Sequence, residues 1–421
     1  MTTKNPNLSY ESLTRLERRT IRADQAENTL LKDIEAWKQV FTPDSLIQTH
    51  INQFGKFCQT KLDHFRKGHG KLNQYELDLK VILIGALNNQ WGSLRHVAEQ
   101  HLTGTPYHKD LIKLNQETDQ YYHRIYQALP PSLQDKLTSN TPLVYLGHTA
   151  ELTLFNNENL KAPALISVPV GAIYDPYSRL AIAHETGHAV FSRIPEFIPQ
   201  VVAKVQACLD TTYPNSDPQT RILRQTMLGW MDEIIADLVG ISLVGSDYIE
   251  SSLYVMAVSE SEIETTDSAH PPAVLRPQVS LNFLKKYLQS QISIANVAPI
   301  EGRVTAFIAS SSIADRYFRS FPAISTITLK DVLDEMNKVI DCVVKTEISE
   351  KVSLLDVLVN CATSKTPDKE SEVTNKDLNW GEISFEDDAP FFLDLTNMLP
   401  PEFTVPMVFS DLWCKLAPWT C

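Results

Sequence analysis

The sequence predicts a mainly helical α+β fold, and three observations predict it. From about residue 8 to 130 the apolar residues recur three and four positions apart, as in "ENTLLKDIEAWKQVF" and "YELDLKVILIGALNNQW", which is the period of an amphipathic helix. Between 142 and 173 the texture changes to "PLVYLGHTAELTLFNNENLKAPALISVPVGAIYD", rich in Val, Ile, Tyr and Thr and broken by Asn, Gly and Pro; this reads as two or three short strands in a small antiparallel or mixed sheet. The helical period then returns at "DPYSRLAIAHETGHAVFSRI".

Taken in order, the first region is an N-terminal helical lobe, residues 1–135, and the strands open a central region, 136–292. Within it a helix is expected over about 176–194, with Asp175 as N-cap and Pro176 at the first helical position, where its missing N–H costs nothing; Pro195 should end it. After the turn-forming "YPNSDP", a second helix is expected over about 219–243. Further helices are expected at roughly 271–291, 299–318, 329–347 and 350–362, the last three making a C-terminal helical region, 293–364. A polar, acidic linker follows at 365–390, and the apolar, aromatic segment 391–421 is a tail suited to self-interaction, folding back onto the body or a partner.

Composition narrows the function. With 43% hydrophobic and 21% charged residues the 421-residue chain reads as a globular protein able to bury a large core. A formal charge of −13 without a compact basic patch excludes nucleic acid as the expected partner. No apolar run is long enough to span a bilayer and the N-terminus lacks a secretory signal, so a cytoplasmic protein is expected. Six scattered cysteines without a CxxC pair read as reduced thiols.

The chemistry concentrates in "AIAHETGHAV", residues 181–190. Residues four apart share a helix face, so His184 and His188 converge as a metal half-site. Glu185 is turned about 100° from His184, within reach of a water on the metal, as a general base must be. HExxH arises by chance in roughly one chain in fifty of this length, so further ligands have to be found. The continuation HExxHxxGxxH fails, because Phe191 and Ile194 occupy the glycine and histidine positions. "MDEIIADLVG" supplies the alternative: Glu233 completes a His, His, Glu set for one zinc ion and leaves a position for water. Asp237, on the same face, would accept the outer N–H of a ligand histidine. Asp232 is the rival third ligand; Glu233 is preferred because only that choice leaves Asp237 in a supporting role.

HETGH at 184–188 with EIIAD at 233–237 resembles the gluzincin metallopeptidases, most closely the HtpX-like and CAAX prenyl protease group. "SAHPPAVLR" looks like the HPxxxxR element of that group, here His270, Pro271 and Arg276. The similarity spans roughly 144–276. It implies a zincin-like catalytic core over 136–292, with His184, His188 and Glu233 on zinc and Glu185 as base. It also implies that the strand in "ALISVPVGA" offers an exposed edge to an extended peptide or protein substrate, through Ile166, Ser167 and Val168. The named relatives are integral membrane proteins, and this chain shows no spanning segment. His270 and Tyr248 are candidates for stabilising the oxyanion of hydrolysis. His96 and His148 lack spaced partners and read as structural or surface residues. The expected activity is peptide hydrolysis. The alternative is a catalytically quiet zinc scaffold or sensor acting through its helical lobe, and Cys414 or Cys421 offers a thiolate that could plug the open zinc position.

Overall fold

The computed structural model describes residues 14–43, 45–66, 72–137, 141–148, 151–154, 164–194, 196–214, 217–255, 270–290, 297–311, 327–349 and 351–364. Contacts divide the chain into units 1–367 and 368–421, and every described residue belongs to the first. The acidic linker, the apolar tail and its Cys414 and Cys421 lie outside the described residues.

Four long helices build the N-terminal part: α1 (Arg15–Lys38), α2 (Leu46–Arg66), α3 (Gln74–Gln100) and α4 (His108–Ala128). Capping boxes start α1 at Thr14 and α3 at Asn73, each pairing the cap side chain with a glutamate three residues on. Helices α1 to α3 enclose a core of their own around Ile34, Ile51, Phe54, Leu87 and Trp91. Helix α4 instead contributes Leu111, Leu114, Tyr122 and Ile125 to a second, larger core that contains the candidate site.

A short helix, α5 (Pro131–Gln134), leads to a mixed sheet of β1 (Leu143–Gly147), β2 (Glu151–Leu154) and β3 (Ala164–Pro169) in the order β1-β3-β2. The sheet lies between the two cores. Side chains alternate across a strand, so Val144, Leu146, Ile166 and Val168 face the larger core while Leu143 and Leu165 face the smaller. Strand β3 runs parallel to β1, pairing Ile166 with Val144, and antiparallel to β2, pairing Ile166 with Leu152. The exposed edge expected for Ile166, Ser167 and Val168 is therefore not there: β3 is the central strand, and all three side chains are buried. Edge strand β1 is finished by side chains. Gln100 bonds both the N–H and the C=O of Leu146, the N–H of Val144 donates to Asn115, and His101 donates to the C=O of Val144.

The helix expected over 176–194 forms as two, α6 (Pro176–Arg179) and α7 (Ala181–Phe191). Asp175 caps it as expected, accepting from the N–H groups of Tyr177 and Ser178. The division at Leu180 is a tightened turn, with Leu180 N–H bonded to Tyr177 and Ala183 N–H bonded to Leu180, three residues apart instead of four. After α8 (Phe197–Thr212), the helix expected over 219–243 is likewise divided at Trp230 into α9 (Pro218–Gly229) and α10 (Met231–Val244). Gly245, with φ +68° and ψ −138°, reverses the chain into α11 (Ser246–Val255), a backbone state that only glycine adopts without strain.

The remaining elements are α12 (Arg276–Phe283), continued by a wider turn over Leu284–Leu288, then α13 (Ala298–Ser310), α14 (Leu329–Val344), the hairpin β4 (Glu347–Ser349) and β5 (Val352–Ser353), and α15 (Leu354–Thr363). The cysteine expectation needs correction, because Cys208 on α8 and Cys342 on α14 form a disulfide, while Cys58 and Cys361 are free and buried. Their separation of 134 residues hides the pairing from any local spacing rule. Among the described residues no helix is long and apolar enough to cross a membrane.

Candidate metal centre

Helices α7 and α10 cross closely because small residues meet at the crossing. A Cβ added to Gly187 would stand 3.2 Å from the Cα of Ala236 and 3.2 Å from the Cβ of Val239. This approach sets the His184–His188 face of α7 against the acidic start of α10. His184 Nε2 lies 3.0 Å from His188 Nε2, and Glu233 reaches both, with Oε2 3.4 Å from His184 Nε2 and Oε1 3.1 Å from His188 Nε2. These three side chains are a group able to hold a metal ion.

The outer ring nitrogens decide which face of each imidazole carries a lone pair. His184 Nδ1 stands 3.0 Å from Asp237 Oδ1, and His188 Nδ1 stands 3.1 Å from Asp232 Oδ2. A carboxylate can only accept, so each Nδ1 carries the proton and, in the neutral rings, each Nε2 presents a lone pair inwards. Two lone pairs and the Glu233 carboxylate then converge with no donor between them, an arrangement that repels unless a cation or extra protons fill it. The residues present therefore fit a metal ion.

The electrostatics agree. Burial opposes charge on His188, but Asp232 and Glu233 outweigh it and raise the imidazolium pKa to about 10. His184 is raised in the same way, burial again opposing and Asp237 and Glu233 prevailing. Burial alone would push the carboxyls up, yet the two histidines hold Glu233 far below the usual carboxylate range, and Arg276 with His184 does the same for Asp237. The potential that traps protons on the histidines is the potential a cation would meet. Glu185, also buried, goes the other way: desolvation raises its pKa, with His184 and His188 opposing.

Around this group the other candidates take distinct places. Arg276 donates from Nε to Asp237 Oδ2 at 2.8 Å and from Nη2 to Asp237 Oδ1 at 2.5 Å, with Nη2 also 3.6 Å from Glu233. His270, half exposed, brings Nε2 to 3.4 Å from Glu233 Oε1. Tyr248 does not stand where an oxyanion donor would. Its hydroxyl donates to Asp237 Oδ1 at 2.6 Å and lies 3.1 Å from His184 Nδ1, so its proton is spent behind the ring, away from the inward-facing Nε2.

Asp232, weighed from sequence as a rival ligand, is the outer partner of His188 and accepts from Ser192 as well. No spacing rule in the sequence marks Asp232 for that role, since the contact is made between two helices. His96 and His148 are exposed and far from this chemistry in role: His96 bonds Gln100 on its own helix. No family model matches the chain, and comparison with curated proteins and with solved structures returns no match.

Proposed function

We propose that this chain is a zinc-dependent metallopeptidase of the gluzincin kind, hydrolysing peptide bonds with Glu185 as general base. The observation that carries the reading is the convergence of His184 Nε2, His188 Nε2 and Glu233, each histidine backed by a carboxylate, with buried Glu185 alongside. Two observations favour zinc. The donor set is two imidazoles and a carboxylate, and the closest donor separations of 3.0–3.4 Å suit an ion with bonds of about 2.0–2.1 Å, for which tetrahedral ligands stand roughly 3.3 Å apart. The resemblance of HETGH, EIIAD and HPPAVLR to the gluzincins points the same way.

Bound zinc supplies a polarised carbonyl and a water acidified to a pKa near 7. Glu185 accepts a proton from the attacking water, its raised pKa making it a stronger base than an exposed carboxylate and leaving the proton available to the departing amine. Asp237 and Asp232 hold the histidines in the Nδ1–H tautomer. His270 is the remaining candidate donor to the oxyanion, since it reaches the group from a half-exposed position.

The test pairs wild type with Glu185→Gln, measuring bound zinc and cleavage of a mixed peptide library. Zinc retained in both, with cleavage in wild type falling by about a hundredfold or more in the variant, is the expected result. Zinc in both with no cleavage by wild type would instead favour a zinc-containing scaffold. That second reading draws on His270, whose Nε2 stands 3.4 Å from Glu233 Oε1 and which would have to swing inwards to serve as a fourth ligand. His270→Ala separates the two: lost zinc marks a closing ligand, and zinc kept with slowed cleavage marks a residue facing substrate.

A further inference from the structure

We propose that Tyr248 is a positioning residue of the metal group, its hydroxyl clamping Asp237 so that His184 is held as the Nδ1–H tautomer with Nε2 turned to the ion. The inference rests on the metal-binding part of the reading above and not on peptidase activity. The hydroxyl oxygen, Asp237 Oδ1 and His184 Nδ1 form a closed triangle with sides of 2.6, 3.0 and 3.1 Å. The phenol proton goes to the carboxylate, the stronger acceptor, which leaves the phenol oxygen as a second acceptor facing Nδ1. His184 Nδ1 thus meets two acceptors and must carry hydrogen.

The backbone is shaped to deliver this hydroxyl. Gly245 turns α11 back along α10, and Gly240 clears the path, for a Cβ there would stand 2.5 Å from the Tyr248 ring. The ring lies nearly parallel to that of His184, at 13°, and Tyr248 is only 5% exposed. A phenylalanine would fill the same space, so packing alone does not call for the hydroxyl. Arg276 grips both oxygens of Asp237 from another direction; without the phenol the carboxylate answers to Arg276 and His184 only, and the imidazole loses its second acceptor.

The experiment uses the full chain carrying Co2+ or Zn2+. Tyr248→Phe is expected to weaken both ions about tenfold or more in competition with a chelator, and to change the visible absorption of the cobalt form. Asp237→Asn and the double variant complete a cycle, in which the two losses are expected to be less than additive because both act on one imidazole. Tyr248→Phe with wild-type affinity and an unchanged cobalt spectrum overturns the proposal, even if the variant is less stable. Should that variant fail to fold, a fluorotyrosine at 248 keeps the shape and strengthens donation, and an unchanged cobalt spectrum there overturns it equally. Absence of metal binding by wild type overturns this inference together with the zinc assignment, whereas wild type that binds zinc but cleaves nothing removes only the peptidase reading.

Discussion

Asp232 and Asp237 perform the same task on the two histidines under different conditions of burial. The Asp237 side chain is 10% exposed and accepts from His184, Tyr248 and Arg276, whereas that of Asp232 is 43% exposed and shared with solvent. Asp232→Asn should therefore weaken metal binding, but at the lower end of the ten- to hundredfold range typical for such outer partners, as chelator competition will show. The same residues set a pH dependence. In the metal-free protein His188 is raised to about 10, so its contribution to stability is complete below about 6.5 and is lost as pH rises towards 10. Asp237 is depressed, so its contribution is present above about 3.9 and is lost on acidification. The thermal midpoint of metal-free protein should fall between pH 6.5 and about 8.5, below the range where the buried Cys58 and Cys361 thiols add a slope of their own, and bound metal, which takes the place of the proton, should remove that fall. At this scale the two halves of the candidate group are legible in the sequence, since His184 and His188, and Glu233 and Asp237, are helical neighbours by spacing. The work of Asp232 and Tyr248 is not, because it depends on which ring nitrogen faces which helix.

Two glycines decide how the site's helices meet. At Gly187 the obstacle to a side chain is the backbone of Ala236, and at Gly240 it is the ring of Tyr248. Gly240→Ala should cost about 1–3 kcal/mol in chemical denaturation, because the added methyl displaces Tyr248 from a packed position. Of the helices, α7 and α10 are readable from their period, and the Asp175 cap, which starts α6, stands where the sequence places it. Their divisions at Leu180 and Trp230 are not readable, since both residues are ordinary helix formers and no proline stands at either break. The central place of β3 is equally hidden. "ALISVP" carries the burial of the strand but says nothing of its neighbours, and β1 and β2, which both precede it in the chain, pair with it in opposite senses, parallel and antiparallel.

Across the whole molecule, α14 is tied to the helices flanking the site by two different bonds. Cys342 joins it to α8, and Glu335 joins it to α9 through Arg224, both side chains of this ion pair being 5% exposed. Glu335→Ala leaves a buried guanidinium bonded, among the described residues, to the C=O of Tyr213, and should destabilise the protein by about 3–5 kcal/mol, measured by denaturant titration under non-reducing conditions. Neither tie is visible in sequence, since partners 134 and 111 residues apart carry no shared local pattern. The finished edge of β1 has a consequence for how this protein can be cut. Gln100 and His101 belong to the N-terminal helices, yet the backbone groups they satisfy belong to the sheet packed against α7. A fragment trimmed to begin at α4 would bare that margin as a sticky template for strands of other molecules, inviting aggregation. The lobe seals the margin of the sheet, so a stable fragment has to carry both.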